Sequence, residues 1–412
     1  MTSIAELTSD LSKPWLSRAR AVIAASLLAG ALAGCGGGNS VPASDTGAQA
    51  PDGAIDFGAI PMAIPEGERI KVGLILPLTG EFAATGQAML NSAQLALFDA
   101  RDSNIALEVR DDAGAPGPAA QAAQSALADG ARFVLGPLFG RNVQAVRPVV
   151  QSKAVNLVSF SSDESVAGDG AYVMGILPRL QVERIVGYSS RQGLRRFAAL
   201  LPQNAYGQVI ATSLKQAASS SGAEVVRVEY YDPNSLDASF AVGQLGQFMA
   251  SGGQIDALMI PEGDQRLLGI VRSLPAFGID PLQVRLLGST AWESIGAAGE
   301  PLLAGAWYPA PDPQKIRDFA AKYQAVYGSA PPRVAYLAYD AVLMSAALAA
   351  GPSGADFGAT ALTDPNGFYG VDGLFRLKPD GGVDRGLAIL EVSSTGPQIR
   401  EPPPPNFDGF IY

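Results

Sequence analysis

At 412 residues, 48% hydrophobic and 17% charged, the chain is long enough for two domains with real cores. Its net charge of −10, with no basic block, argues against a nucleic-acid partner, because neutralising phosphates needs clustered Lys and Arg. It has no histidine and one cysteine, which excludes His-based catalysis, His-ligated metals, internal disulfides and Cys-rich metal centres, so no cofactor and no metal are expected.

The N-terminus has the order of an export signal. Lys13, Arg18 and Arg20 precede an apolar run from Ala21 to Gly34, too short to span a bilayer and of the right length for a signal-peptide core. The run ends in Leu32-Ala33-Gly34-Cys35, which resembles the bacterial lipobox. That resemblance implies cleavage before Cys35, lipidation of Cys35, and a membrane engaged through the lipid anchor. Several acyl chains anchor stably where one is marginal. Gly36, where an Asp would hold the protein at the inner membrane, points to the outer one. The expected location is therefore the periplasm, lipid-anchored to the bacterial cell envelope. Residues 1–34 read as the signal peptide and 35–68 as a disordered tether rich in Gly, Pro, Ala and Ser.

Strands and helices then alternate. Ile70–Leu76 is a nearly continuous apolar run, as a strand buried on both faces requires. A helix over Gln87–Asp99 follows, then strand Ile105–Asp111, helix Pro118–Ala128, strand Phe133–Leu135, helix Asn142–Gln151 and strand Val155–Ser159. After Pro178 the rhythm restarts with helix Leu180–Gln192, strand Phe197–Leu201, helix Gly207–Ser219 and strand Glu224–Tyr230. Helix Phe240–Ala250, strand Ala257–Ile260, helix Gln265–Ser273 and strand Arg285–Leu287 complete the second series. Two such series predict an α/β protein of two Rossmann-like lobes, each a parallel sheet with helices on both faces. Next come a strand at Gly305–Tyr308 and two consecutive helices, Pro313–Tyr327 and Arg333–Ala350, which must pack back on an existing lobe. A hairpin of Gly373–Leu377 with Leu387–Val392 is expected around the turn at 379–382, and 399–412 reads as a Pro-rich tail.

Several stretches carry a resemblance. They are Val72-Gly-Leu-Ile-Leu-Pro-Leu-Thr-Gly80, Gly86-Gln87, Val134-Leu-Gly-Pro137, Val158-Ser-Phe-Ser-Ser162, Asn204-Ala-Tyr-Gly207 and the helix–helix–hairpin end. In this order the chain resembles the Leu/Ile/Val-binding-protein family of type I periplasmic binding proteins over about 69–393. The resemblance implies a three-strand hinge crossed near Ile176–Pro178, Tyr308–Asp312 and Tyr369–Phe375. Lobe 1 would be 69–177 with 312–370, and lobe 2 would be 178–308 with 375–398.

In open parallel sheets ligands bind beyond the carboxyl ends of the strands. On lobe 1 those loops offer Phe82, then Phe139 and Gly140 at a helix start with free N–H groups, then Ser159, Phe160, Ser161 and Ser162. Across the cleft they offer Tyr206, Glu262, Thr290 and Trp292. Each also has a structural reading. The serines suit caps, the phenylalanines and Trp292 suit cores, and Glu262 suits a solvated rim. The family implies hydroxyls and backbone N–H groups on the ligand carboxylate and an acid of the last lobe 2 loop on the ammonium. Here Thr290 stands where that acid belongs, with Glu293 three residues on, so a ligand without a free ammonium is expected to bind better than leucine.

The function expected is that of a non-catalytic periplasmic ligand-binding lipoprotein. It would take a small amino-acid-like or amide solute in the interlobe cleft, with an ABC permease as partner in amino-acid transport. The alternative rests on Gly136-Pro-Leu138 followed by Asn142-Val143, which is similar to the penicillin-binding-protein activator lipoproteins. It makes the chain a regulator of peptidoglycan synthesis, with a penicillin-binding protein as partner. No enzymatic activity is expected, since neither Ser-x-x-Lys nor Gly-x-Ser-x-Gly occurs.

Overall fold

The alternation of buried strands and helices yields one parallel sheet and one mainly parallel sheet with two antiparallel edge strands, and a third small sheet lies beside the first. A computed structural model describes residues 55–56, 69–100, 103–295, 300–351 and 354–408, all within the unit Gln49–Tyr412. The expected signal peptide, Cys35 and the expected tether lie outside the described residues, apart from strand β1 (Ile55–Asp56), which pairs in parallel with a later strand.

Strands β2 (Ile70–Leu76), β3 (Ile105–Asp111), β4 (Phe133–Leu135), β5 (Leu157–Ser159) and β6 (Ala171–Val173) form the first sheet, in the order β3-β2-β4-β5-β6 and all parallel. Between them run helices α1 (Ala83–Asp99), α2 (Pro116–Ala128) and α3 (Gly140–Gln151). Val72, Leu74, Ile75 and Leu76 are wholly buried, as a central parallel strand demands.

The second sheet begins after helix α4 (Pro178–Arg191), with β7 (Arg196–Pro202), α5 (Ala205–Ser220), β8 (Glu224–Tyr231), α6 (Ser239–Ala250) and β9 (Ala257–Met259). It continues with α7 (Asp264–Ser273), β10 (Arg285–Leu287) and β11 (Trp307–Ala310). Asn204 caps α5, its side chain accepting from the Gly207 N–H at 3.1 Å. Strands β8-β7-β9-β10-β11 are parallel neighbours.

Helices α8 (Pro313–Tyr327) and α9 (Ala335–Ala349) return to the first core, where Phe319 and Tyr323 join α1 and the sheet. Helix α9 is apolar nearly all round and correspondingly buried, resting on α1. After α10 (Ala359–Leu362) come β12 (Phe368–Gly370), β13 (Gly373–Leu377) and β14 (Val383–Arg385), which with β1 form the small sheet.

The end of the chain departs from expectation. The hairpin partner of Gly373–Leu377 is β14, not Leu387–Val392. The segment after Gly386 instead enters the second sheet as β15 (Ala388–Glu391), antiparallel to β11. Phe375, Leu377 and Val383 lie in the first core and Ala388 and Leu390 in the second. The third passage between lobes thus falls at Arg385–Ala388 instead of Tyr369–Phe375. The turn before β14 decides this, because the Val173 N–H donates to the Gly381 carbonyl at 2.8 Å and ties the hairpin to β6. The tail is not free either. Its start forms β16 (Gln398–Glu401), antiparallel to β15. Glu401 then pairs with Arg184 and Arg191, and Phe407 is buried under Arg376.

Candidate ligand-binding cleft

The loops at the carboxyl ends of the first sheet are shaped by their own side chains. Asp111, at the end of β3, accepts from the Leu78, Thr79 and Ala113 N–H groups and from the Thr79 hydroxyl. Its carboxyl lies below the usual range, because these hydrogen bonds together outweigh the burial that opposes them. This fixes the loop that presents Phe82. Ser159 Oγ accepts from the Ser161 N–H at 2.9 Å, and Ser161 Oγ from the Asp163 N–H at 3.0 Å, which curls the next loop. Phe82 and Phe139 meet with ring centroids 4.6 Å apart.

A cavity of about 610 Å³ opens above these loops. Of the expected residues it gathers Phe82, Phe139, Gly140, Phe160, Ser161, Ser162 and Thr290. A second cavity of about 490 Å³ brings Tyr206 and Thr290 together with Gln181 and Glu293. Thr290 and Arg333 border both. The walls come from both lobes, so the two cavities form one cleft.

Three expected residues lie elsewhere. Ser159 is wholly buried behind the loop it shapes. Trp292 is 1% exposed in the second core, where its indole N–H donates to the Ile260 carbonyl at 3.2 Å. It lies against Gly288, where a Cβ would come within 2.2 Å of the ring. Glu262 accepts from the Tyr231 hydroxyl and stands 3.7 Å from Arg266. Phe160 borders the cleft but is only 2% exposed, so it serves mainly as core.

The helix start at Gly140 is faced by the chain's own Asp163. A Cβ on Gly140 would lie 2.8 Å from Asp163 Oδ2, which puts a carboxylate where the helix N-terminus favours negative charge. Asp163 also accepts from the Ser165 N–H and hydroxyl.

Sequence reasoning missed the group at the centre of the cleft. Arg333, in the connection from α8 to α9, donates from Nε to Glu293 Oε2 at 2.9 Å across the lobes. Its Nη1 lies 2.5 Å from Asp372 Oδ1, on the turn between β12 and β13. Burial works against the charge on Arg333, but Asp372 and Glu293 outweigh it and hold the guanidinium protonated. Burial raises the Glu293 carboxyl, and Arg333 opposes that rise. An acid does therefore stand in the last lobe 2 loop, carried into the cleft by the 3-10 turn of Thr290–Ile295 and occupied by Arg333. Thr290 itself is committed, its N–H and hydroxyl both donating to Gln181 Oε1, at 2.8 and 3.0 Å. The only signal in the sequence was Pro331-Pro332-Arg333, a lone charge ahead of an apolar helix.

The family described as Periplasmic binding protein matches residues 69–397, and this chain belongs to it. A Leu/Ile/Val-binding protein homolog of Brucella melitensis is 25% identical over 220 residues, 48% of this chain and 60% of that protein. The penicillin-binding protein activator LpoA of Vibrio cholerae is 25% identical over 151 residues, 35% of this chain and 25% of that protein. The matches span 47%, 26% and 60% of the first three curated relatives. Among solved structures, a putative branched-chain amino acid ABC transporter protein from Rhodospirillum rubrum has a TM-score of 0.69 at 18% identity. That alignment covers 80% of this chain and 99% of the other, and it establishes the two-lobed type I fold.

Proposed function

We propose that this chain is a non-catalytic periplasmic solute-binding protein. It closes its lobes on a small amino-acid-like or amide solute and presents it to an ABC permease. The observation that carries this is the cleft itself. Its apolar walls, from Phe82, Leu138, Phe139, Val334 and Leu337, surround a few convergent polar groups, the pattern of a small-molecule site. The Leu/Ile/Val-binding relative of Brucella supports the amino-acid-like class of solute. A thermal-shift screen of amino acids, their amides and muropeptide fragments tests it, since a solute at a hundredfold excess over Kd adds ~2.7 kcal/mol of stability. A midpoint unmoved by the whole panel counts against the reading. Turnover of an ester, amide or phosphate that survives repurification and is lost with one Ser or Asp substitution would end the non-catalytic part.

The anchor belongs to the same proposal. Lipidated Cys35 tethers the protein to the envelope, so Cys35→Ser should release it from membranes or leave it uncleaved. Equal palmitate labelling of both forms would reject the anchor.

A second reading has one observation in its favour, the 151-residue match to LpoA. On that reading the chain binds a penicillin-binding protein. Copurification of a penicillin-binding protein with the membrane-bound form, surviving Ser161→Ala, would favour it.

A further inference from the structure

Resting on the cleft as a solute site, we propose that Arg333 anchors a ligand carboxylate by taking its guanidinium from Glu293, which picks up one proton from solvent as it is released. The ligand class is then a small monocarboxylate with an apolar body.

The guanidinium stands on the wall shared by the two cavities. Its Nη1 and Nη2 are buried and make no aligned hydrogen bond, although Nη1 is close to Asp372. A buried donor without an acceptor is costly, and a carboxylate bound side-on meets Nη2 and Nε at once, which displaces Glu293 from Nε and leaves Nη1 beside Asp372. The apolar cavity beside it, walled by Phe82, Leu138, Phe139 and Leu337, takes the rest of the ligand.

A ligand ammonium is served less well. The Glu293 carboxylate is committed to Arg333, and Asp163 is engaged by Ser165 and faces the start of α3. The proton follows from what surrounds Glu293. The groups facing it are Arg333 from the α8–α9 connection, Asp372 from the hairpin turn, and the phenols of Tyr308 and Tyr336. Arg333 is the one cation among these. Once it turns to the ligand, Glu293 is left buried beside Asp372, and the protonated form is favoured. The complex then holds one proton more than its parts, so affinity falls as pH rises, by up to ~10-fold per unit between the free and bound values.

Calorimetry with 4-methylpentanoate, 4-methylpentanamide and leucine, between about pH 6 and about pH 8 and in buffers of different ionisation enthalpy, tests this. The phenyl series of 3-phenylpropanoate, its amide and phenylalanine repeats it with a larger body. The acid should bind at least ~10-fold tighter than the amide, with uptake approaching one proton. Glu293→Gln should tighten the acid and flatten its pH profile. Arg333→Gln should bring the acid down to the affinity of the amide. If Arg333→Gln fails to fold, the acid–amide comparison in the wild type and the Glu293→Gln profile still decide. Leucine binding tighter than 4-methylpentanoate would overturn the proposal in favour of a zwitterion with its ammonium on Glu293 or Asp163. An amide equal to the acid, or acid binding without proton uptake, would overturn it and leave the cleft as a solute site. Binding of none of these probes or the wider panel would remove both.

Discussion

Single residues in this protein are constrained by what stands against them. Gly288 leaves room for the Trp292 ring, which a Cβ would approach to 2.2 Å. Gly288→Ala should therefore cost about 1–3 kcal/mol by overpacking, read as a lower denaturation midpoint. Gly370 plays the same part for Asp340, whose carboxylate would lie 2.4 Å from an added Cβ. That carboxylate is wholly buried and accepts from the Val371 and Asp372 N–H groups. Burial, followed by the charge of Asp372, pushes its carboxyl up to about 7. An acid whose folded value is raised binds more protons folded than unfolded. Its contribution is thus fully present at low pH, declines from its ordinary value of 3.8, and is lost by about 7. Stability should fall between about pH 5 and about pH 7 on this account. Asp340→Asn, whose amide oxygen cannot replace both acceptors, should melt lower at about pH 5 yet show a shallower decline. An unchanged slope in the variant would show that Asp340 is not the titrating group.

At the scale of elements, short-range pattern and long-range pairing act on different parts of the chain. The last lobe 2 loop is held by Gln181 of α4, whose Oε1 receives both the N–H and the hydroxyl of Thr290. Gln181 is 5% exposed, and its Nε2 donates to the Ile176 carbonyl at 3.4 Å in the first passage between lobes. It thereby joins the loop carrying Glu293 to the hinge. Gln181→Ala should cost about 1 kcal/mol, because it leaves the part-buried N–H and hydroxyl of Thr290 without their acceptor. It should also weaken any cleft ligand whose binding depends on the placement of Glu293. A variant that loses stability while binding every ligand as the wild type does would confine Gln181 to a structural role.

Across the whole molecule, three passages and one strap join the lobes. The passages are stitched by buried arginines. Arg385 donates to the Met174 carbonyl, and Arg184 Nε to the Leu387 carbonyl at 2.7 Å. Glu164 of the first lobe pairs with Arg179 of the second at 2.8 Å. The strap is the C-terminal segment. It leaves the second sheet at Glu401, lays Pro404 against Gly386, and ends with Phe407 on Arg376 beside the first lobe. Its run of prolines from Pro402 to Pro405 is stiff, so it transmits restraint across the hinge. Ending the chain after Glu401 should lower the midpoint and widen the ligand-free ensemble in small-angle scattering. A truncated form with the wild-type radius of gyration would show that the strap packs without restraining the lobes.

The local period of the sequence was enough to determine the alternation of strands and helices, the two-lobed class, and the loops that carry Phe82, Phe139, Ser161 and Tyr206 to the cleft. Strand burial and helix capping are read within a few neighbours, and parallel strands place their following loops at one end. It did not determine the third passage, because Val383–Arg385 and Ala388–Glu391 are both plausible partners for the preceding strand and only packing on β6 and β11 separates them. Nor did it place Trp292, Ser159 and Glu262 outside the cleft, since a side chain at a loop start faces inward or outward according to what packs beneath it. Above all, the Glu293–Arg333–Asp372 group joins residues about 40 positions apart in each step. No spacing rule reaches that far. Only the tertiary fold, which brings the last loop of lobe 2 against the α8–α9 connection and the hairpin turn, makes those three charges neighbours.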